Sequence, residues 1–114
     1  DVYKRQETKS EELAGIEHGN GAAYKYINFG EKGGPKEVIF RVAPEKTGGQ
    51  IAIRIDKPWG EAIVRADIPP GDGRTWMNLS FPVKEVTGIH PIWLYFSGAE
   101  GQLMKLDWFE FKAR

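Results

Sequence analysis

Gly48-Gly-Gln-Ile-Ala-Ile-Arg-Ile-Asp56 decides the fold. Ile51, Ile53 and Ile55 recur at every second position, with Ala52 and Arg54 between them. That is the period of an extended strand with one buried face; a helix would scatter the three isoleucines around its axis. Thr47-Gly-Gly before the segment and Lys57-Pro-Trp-Gly60 after it are turn sequences, so the strand is short and turns back at both ends.

The same reading extends in both directions. Glu37 to Ala43 alternates, with Val38, Phe40 and Val42 on one face and Ile39, Arg41 and Ala43 on the other. Glu61 to Ile68 reads as the next strand, and Pro69-Pro-Gly-Asp-Gly73 as a rigid loop before a strand over Thr75 to Val83. Ile92 to Phe96 follows, and Gly98 to Gln102 turns the chain into a last strand over Lys105 to Phe111. Residues 7 to 23 are polar and Gly-rich and are expected to be a loop, with strand-like pattern beginning at Tyr24. About seven short strands with turn signals at roughly ten-residue spacing predict an all-β sandwich or jelly roll. No segment of helical period competes with it.

The chain of 114 residues is the length of one domain with a single core. Sixteen Lys and Arg against 16 Asp and Glu give a net charge of zero, which argues against an electrostatic grip on nucleic acid. The absence of cysteine excludes disulfides and thiolate metal sites. No signal peptide and no membrane span is visible in the sequence.

Four blocks carry a family resemblance: Phe40-Arg-Val-Ala-Pro44, the strand Gly48 to Asp56, Gly88-Ile-His-Pro-Ile-Trp-Leu-Tyr-Phe-Ser-Gly98, and Leu106-Asp-Trp-Phe-Glu-Phe111. In this order and spacing the chain resembles the family 6 carbohydrate-binding modules, a family of galactose-binding-like jelly rolls. The resemblance implies sugar binding without catalysis. A second resemblance concerns Asp1-Val-Tyr-Lys-Arg-Gln6, which looks like the translated end of a sequencing adapter. Residues 1 to 6 are therefore expected to be a scar, and residues 7 to 114 a module lacking its first strand or strands. Without Asp1, Lys4 and Arg5 the charges stand at 14 against 15.

A sugar ring presents an apolar patch of C–H groups that stacks on a flat aromatic face, so aromatics on loops and outward faces are the candidates. Parity places Phe40, Phe81, Phe96, Phe109 and Phe111 with the aliphatic core. Trp76, Trp93, Tyr95 and Trp108 fall on the opposite parity beside Asn78 and Glu110; they either line the outer faces or pack beneath loops. Tyr24, Tyr26 and Trp59 sit in or beside turns, where ligand residues concentrate.

The resemblance implies a main cleft among loops at one edge, where a Tyr and a Trp sandwich a sugar and an Asn bonds it. Tyr24 or Tyr26 falls in the segment of the family's Tyr. Against the family's Gly-Gly-Trp-Gln-Thr-Trp this chain has Gly71-Asp-Gly-Arg-Thr-Trp76, so Gly73 stands at the platform Trp and Trp76 matches the second Trp. Lys105 stands at the Asn. Either the cleft takes a different ligand, such as an acidic sugar engaged by Arg74 and Lys105, or this copy has lost it. The family's second site lies on a concave face that Trp93, Tyr95 or Trp108 would serve. Asp107 matches a ligand of the family's structural calcium, a hard cation suited to oxygen donors, and the shortened start implies an incomplete site.

Catalysis finds no constellation. Glu11 and Glu12 are adjacent, whereas glycosidase carboxylates face each other across a cleft, and no nucleophile elbow is present. His90 falls where the family also has His and is expected to be structural. The partners implied are a polysaccharide or oligosaccharide and a covalently linked glycoside hydrolase domain, in a secreted protein outside the cell or in the periplasm, with no nucleic acid and no membrane. The competing expectation is a structural module whose outer aromatics pack against that catalytic domain.

Overall fold

The computed structural model describes residues 5–7 and 13–113. Among these residues nine strands form two antiparallel sheets: β1 (Gln6–Glu7), β2 (Leu13–Glu17), β3 (Gly21–Asn28), β4 (Glu37–Pro44), β5 (Gly49–Ile55), β6 (Ala62–Ile68), β7 (Met77–Pro82), β8 (Ile89–Ser97) and β9 (Gln102–Lys112). Sheet A runs β1-β9-β4-β7, with β2 also pairing with β9; sheet B runs β3-β8-β5-β6. The two close into a β-sandwich jelly roll. Among the described residues no helix is long and apolar enough to cross a membrane.

The expected strands from β4 onward are present, and the inward set is the one that alternation selects. Ile51, Ile53 and Ile55 face Ile92, Leu94 and Phe96 across the β5–β8 ladder, and all are buried. Val38, Phe40 and Val42 of β4 meet Phe109, Phe111 and Leu106 of β9. Each such side chain contributes about 1.5–3 kcal/mol by leaving water. Phe109 is the aromatic centre: Tyr24 from sheet B stands edge-on to it at 5.0 Å, and Phe40 and Phe111 lie at 6.0 and 6.1 Å. Phe29, in the β3–β4 connection, is also fully buried and edge-on to Phe111 at 5.1 Å.

The expected loop over residues 7 to 23 is corrected. Leu13–Glu17 pairs with β9 and Gly21 already pairs with Tyr95, so two strands occupy most of the described part of that segment. Its few apolar residues hide this, because an edge strand is held by backbone hydrogen bonds that leave no periodicity in sequence. At the start of the chain, Gln6 pairs with Phe109, and the Arg5 guanidinium lies 3.8 Å from the Trp108 ring and 3.2 Å from Glu110. Asp1 to Lys4, in the expected scar, lie outside the described residues, as do Glu11 and Glu12.

Besides irregularities in the β2–β9 pairing, bulges redirect side chains at three points among the described residues. In β9, Arg41 pairs with Trp108 but Val42 with Leu106, so Asp107 is the extra residue and both Leu106 and Phe109 turn inward. Ile63 is the extra residue of β6 and is likewise buried. The third bulge, in β3, shapes the site.

Candidate functional site: the outer face of sheet B

Tyr24 pairs with Ile92 and Ile27 with His90, which leaves Lys25 and Tyr26 opposite Pro91 alone. Proline has no N–H to give the ladder, so the extra residue falls where a bond is already missing. Without the bulge, Tyr24 and Tyr26 would share a face. With it, Tyr24 points into the core, where burial raises its hydroxyl pKa, while Tyr26 swings outward and is 69% exposed.

Two rows of side chains then cross sheet B on its outer side. One row is Gly21, Tyr95, Ala52 and Arg65; the next is Ala23, Trp93, Arg54 and Ala62. Trp93 and Tyr95 stand about 7 Å apart along β8, two residues of strand rise. The β3 neighbours of both are Gly or Ala, so a trough opens beside the rings. A hollow of about 510 Å³ is lined by Ala23, Tyr24, Tyr26, Pro91 and Trp93. A second, of about 480 Å³, is lined by Arg54, Pro58, Trp59 and Tyr95. No residue lines both; Trp93 of the first and Tyr95 of the second are neighbours on the outer side of β8, so the groove on this face has two parts.

Trp59 reaches this groove from the turn after β5 and is 75% exposed. The turn is closed by Gly60 N–H donating to the Lys57 carbonyl at 2.9 Å and by Ile55 N–H donating to Glu61 at 3.0 Å. Residue 60 must be glycine, since a Cβ there would run into the Ile55 carbonyl oxygen. Arg54 Nη1–H donates to the Gly60 carbonyl at 2.8 Å and ties the turn to the sheet. At the turn's other side, Asp56 has a φ of +74° and binds His90 Nδ1 at 2.7 Å, while His90 Nε2 lies 2.7 Å from the Thr87 carbonyl. The Asp56 carboxylate raises the His90 pKa. Here His90 serves as a clamp on the turn.

The residues anticipated from sequence therefore separate into two groups. Tyr26 and Trp59 belong to the groove, together with Trp93 and Tyr95, whereas Tyr24 borders the first hollow but turns its ring into the core against Phe109. Arg74 and Lys105 lie at the opposite end: Lys105 pairs with Ala43, and Gly73 N–H donates to the neighbouring Pro44 carbonyl. Tyr26 faces Pro91, six residues or about 20 Å along β8 from Ser97 at that far end. So Tyr26 does not meet Lys105 across one cleft. Gly73 has a φ of +75°, which favours glycine, and its missing Cβ would point at the Glu45 carboxylate. Arg74 is set by Asp72, whose side chain accepts both the Arg74 and Thr75 N–H groups at 2.8 Å, and whose pKa falls to about 2 because of those bonds.

Trp76 and Trp108 belong to the outer side of sheet A, and arginines cover them. The Arg41 guanidinium lies 5.6 Å from the Trp76 ring, as Arg5 does more closely over Trp108. Among the described residues no guanidinium lies over the Trp93 or Tyr95 ring, and Tyr95 has the His18 ring edge-on at 6.4 Å. The groove residue that sequence reasoning missed is Arg54, which reads as the polar side of an alternating strand; only the turn closing over it reveals its position.

Asp107 Oδ2 lies 3.6 Å from Arg41 Nε. Among the described residues no three His, Cys, Asp or Glu side chains gather where a metal ion would sit.

Fold and groove define a jelly-roll β-sandwich with an open aromatic face, the architecture of a recognition domain. The chain belongs to the carbohydrate-binding modules of family 6, whose model matches residues 1–113. It is similar to the family 6 module from Clostridium cellulolyticum solved in complex with xylose, at 30% identity and a TM-score of 0.85, covering 97% of this chain and 98% of that one. It is also 28% identical over 107 residues to an arabinoxylan arabinofuranohydrolase of Bacillus subtilis (strain 168), and 31% identical over 101 residues to one of Paenibacillus polymyxa. These matches take in 92% and 87% of this chain but only 20% and 16% of those enzymes. The family is one of non-catalytic binding modules.

Proposed function

We propose that the module binds polysaccharide in the groove on sheet B, with Trp93 and Tyr95 as the floor and Tyr26 and Trp59 as walls, and that it holds a linked glycoside hydrolase on its substrate outside the cell. The observation that carries this reading is the convergence of four aromatic side chains from β3, β8 and the β5–β6 turn on one uncovered face. Three of them, Tyr26, Trp59 and Tyr95, are among the large hydrophobic side chains most exposed to solvent. A folded domain rarely leaves so many rings in water without a ligand to cover them.

Each stacked ring contributes about 0.5–1.5 kcal/mol beyond area burial if it behaves as an aromatic pair, and each net hydrogen bond about 1 kcal/mol. Two stacks with a few hydrogen bonds place the affinity between micromolar and millimolar. That is enough for tethering, because a linked enzyme gains effective concentration from the tether and weak contacts let it move on. The similarity to arabinoxylan-acting enzymes supports a plant cell-wall glycan as the target.

Affinity electrophoresis through xylan, arabinoxylan, mixed-linkage glucan and galactan tests the reading. Retardation by one of them, lost in Trp93→Ala and Trp59→Ala and kept in Trp76→Ala, is the expected result. No retardation by a folded protein would instead favour the groove as a surface that packs against the catalytic domain.

A further inference from the structure

The two outer faces treat charge differently. On sheet A the arginines have anionic partners: Arg5 pairs with Glu110 at 3.2 Å, and Arg41 with Asp107. On sheet B, Arg54 and Arg65 have no carboxylate within ion-pairing distance among the described residues. The nearby acids are engaged, Asp67 by Gln50 at 3.0 Å and Asp56 by His90. Arg54 is partly buried, stands beside Trp93 in its row, and lines the hollow with Trp59 and Tyr95. Its one hydrogen bond, to the Gly60 carbonyl, occupies Nη1 and leaves the rest of the guanidinium fork unengaged.

We propose that the groove selects a glycan bearing carboxylates, a uronic-acid-containing polysaccharide, with Arg54 as the specificity-determining contact and Arg65 adding to the attraction. The inference rests on the groove being the sugar-binding face. A guanidinium that gives up hydration among aromatic rings, and receives only a neutral carbonyl in return, is matched best by an anion. A carboxylate fits its fork with two parallel hydrogen bonds, and a sugar hydroxyl does not. An acid carried on a sugar that stacks on Trp93 or Tyr95 would fall beside Arg54.

Binding of a glucuronic-acid-bearing xylan and of polygalacturonate, each compared with the same polymer after carboxyl reduction, tests this. The expected result is that one acidic polymer binds roughly tenfold more tightly than its reduced form, the value of one charge-assisted pair. The preference should weaken as salt is raised and disappear in Arg54→Gln, while Arg54→Lys retains part of it. Arg65→Gln, at an exposed position, reports on the attraction without touching the turn. Reduced polymers bound as well as the acidic ones would overturn the acidic preference and leave the sugar-binding face standing. Failure of all polymers, neutral and acidic, would overturn both.

Discussion

His90 faces two acceptors at once. A carboxylate on Nδ1 and a carbonyl on Nε2 are both satisfied only when both ring nitrogens carry protons, so the folded state favours the imidazolium and raises its pKa above the ordinary 6.5. A raised folded pKa adds stability that is complete below the unfolded pKa and is lost as pH climbs through the folded one. The melting temperature should therefore decline as pH rises above about 6.5. In His90→Gln that slope should flatten, as thermal melts across a buffer series would show. The clamp also holds the turn that presents Trp59, so ligand affinity should decline over the same range.

Turns and bulges, more than strands, build the groove. Gly60→Ala would force the Asp56–Glu61 turn outward, shifting Trp59 and breaking the Arg54 bond; a loss of about 1–3 kcal/mol is expected, the range of backbone strain mutations. Chemical denaturation would measure it, and the same variant should bind sugar more weakly than its folded fraction accounts for. These elements also explain what the sequence showed and what it hid. Strands β4 to β9 were legible because Val38, Phe40, Ile51, Ile53, Phe109 and Phe111 alternate against a buried interior. β2 and the start of β3 were not, since Gly21 and Ala23 are small to leave room beside Tyr95 and Trp93, and small residues resemble loop. Trp59 stood out as a turn aromatic, but Tyr24 and Tyr26, read the same way, lie within β3, Tyr26 at its bulge. That Tyr26 and Trp59 meet Trp93 and Tyr95 depends on the β3–β8 and β8–β5 ladders, which join residues distant in sequence and are invisible to local pattern. The Tyr26 bulge is equally silent, because parity alone puts Tyr26 on the same face as Tyr24.

At the scale of the whole molecule, the domain measures 39 × 25 × 25 Å, and the loops around Glu45 and Arg74, with Lys105 near the start of β9, lie at the end away from Trp59. Asp107, paired with Arg41, sits on the sheet A side and contributes to neither the groove nor that end. Millimolar calcium should accordingly leave both the melting temperature and the glycan affinity unchanged. A rise in melting temperature reversed by chelator would show that donors beyond the described side chains complete a cage around Asp107.

The position of β9 governs when this domain can exist at all. Among the nine strands it is last in the chain, yet it runs through the middle of sheet A and supplies Leu103, Met104, Leu106, Phe109 and Phe111 to the interior. β1, β2 and β4 have nothing to pair with on that side until it emerges. On the ribosome, sheet B can begin to assemble while sheet A waits, its apolar face uncovered, for the final strand to leave the exit tunnel. Folding is then a late, nearly all-or-none event that follows translation of β9, and a ribosome pausing just before that strand would hold the chain in its most aggregation-prone form.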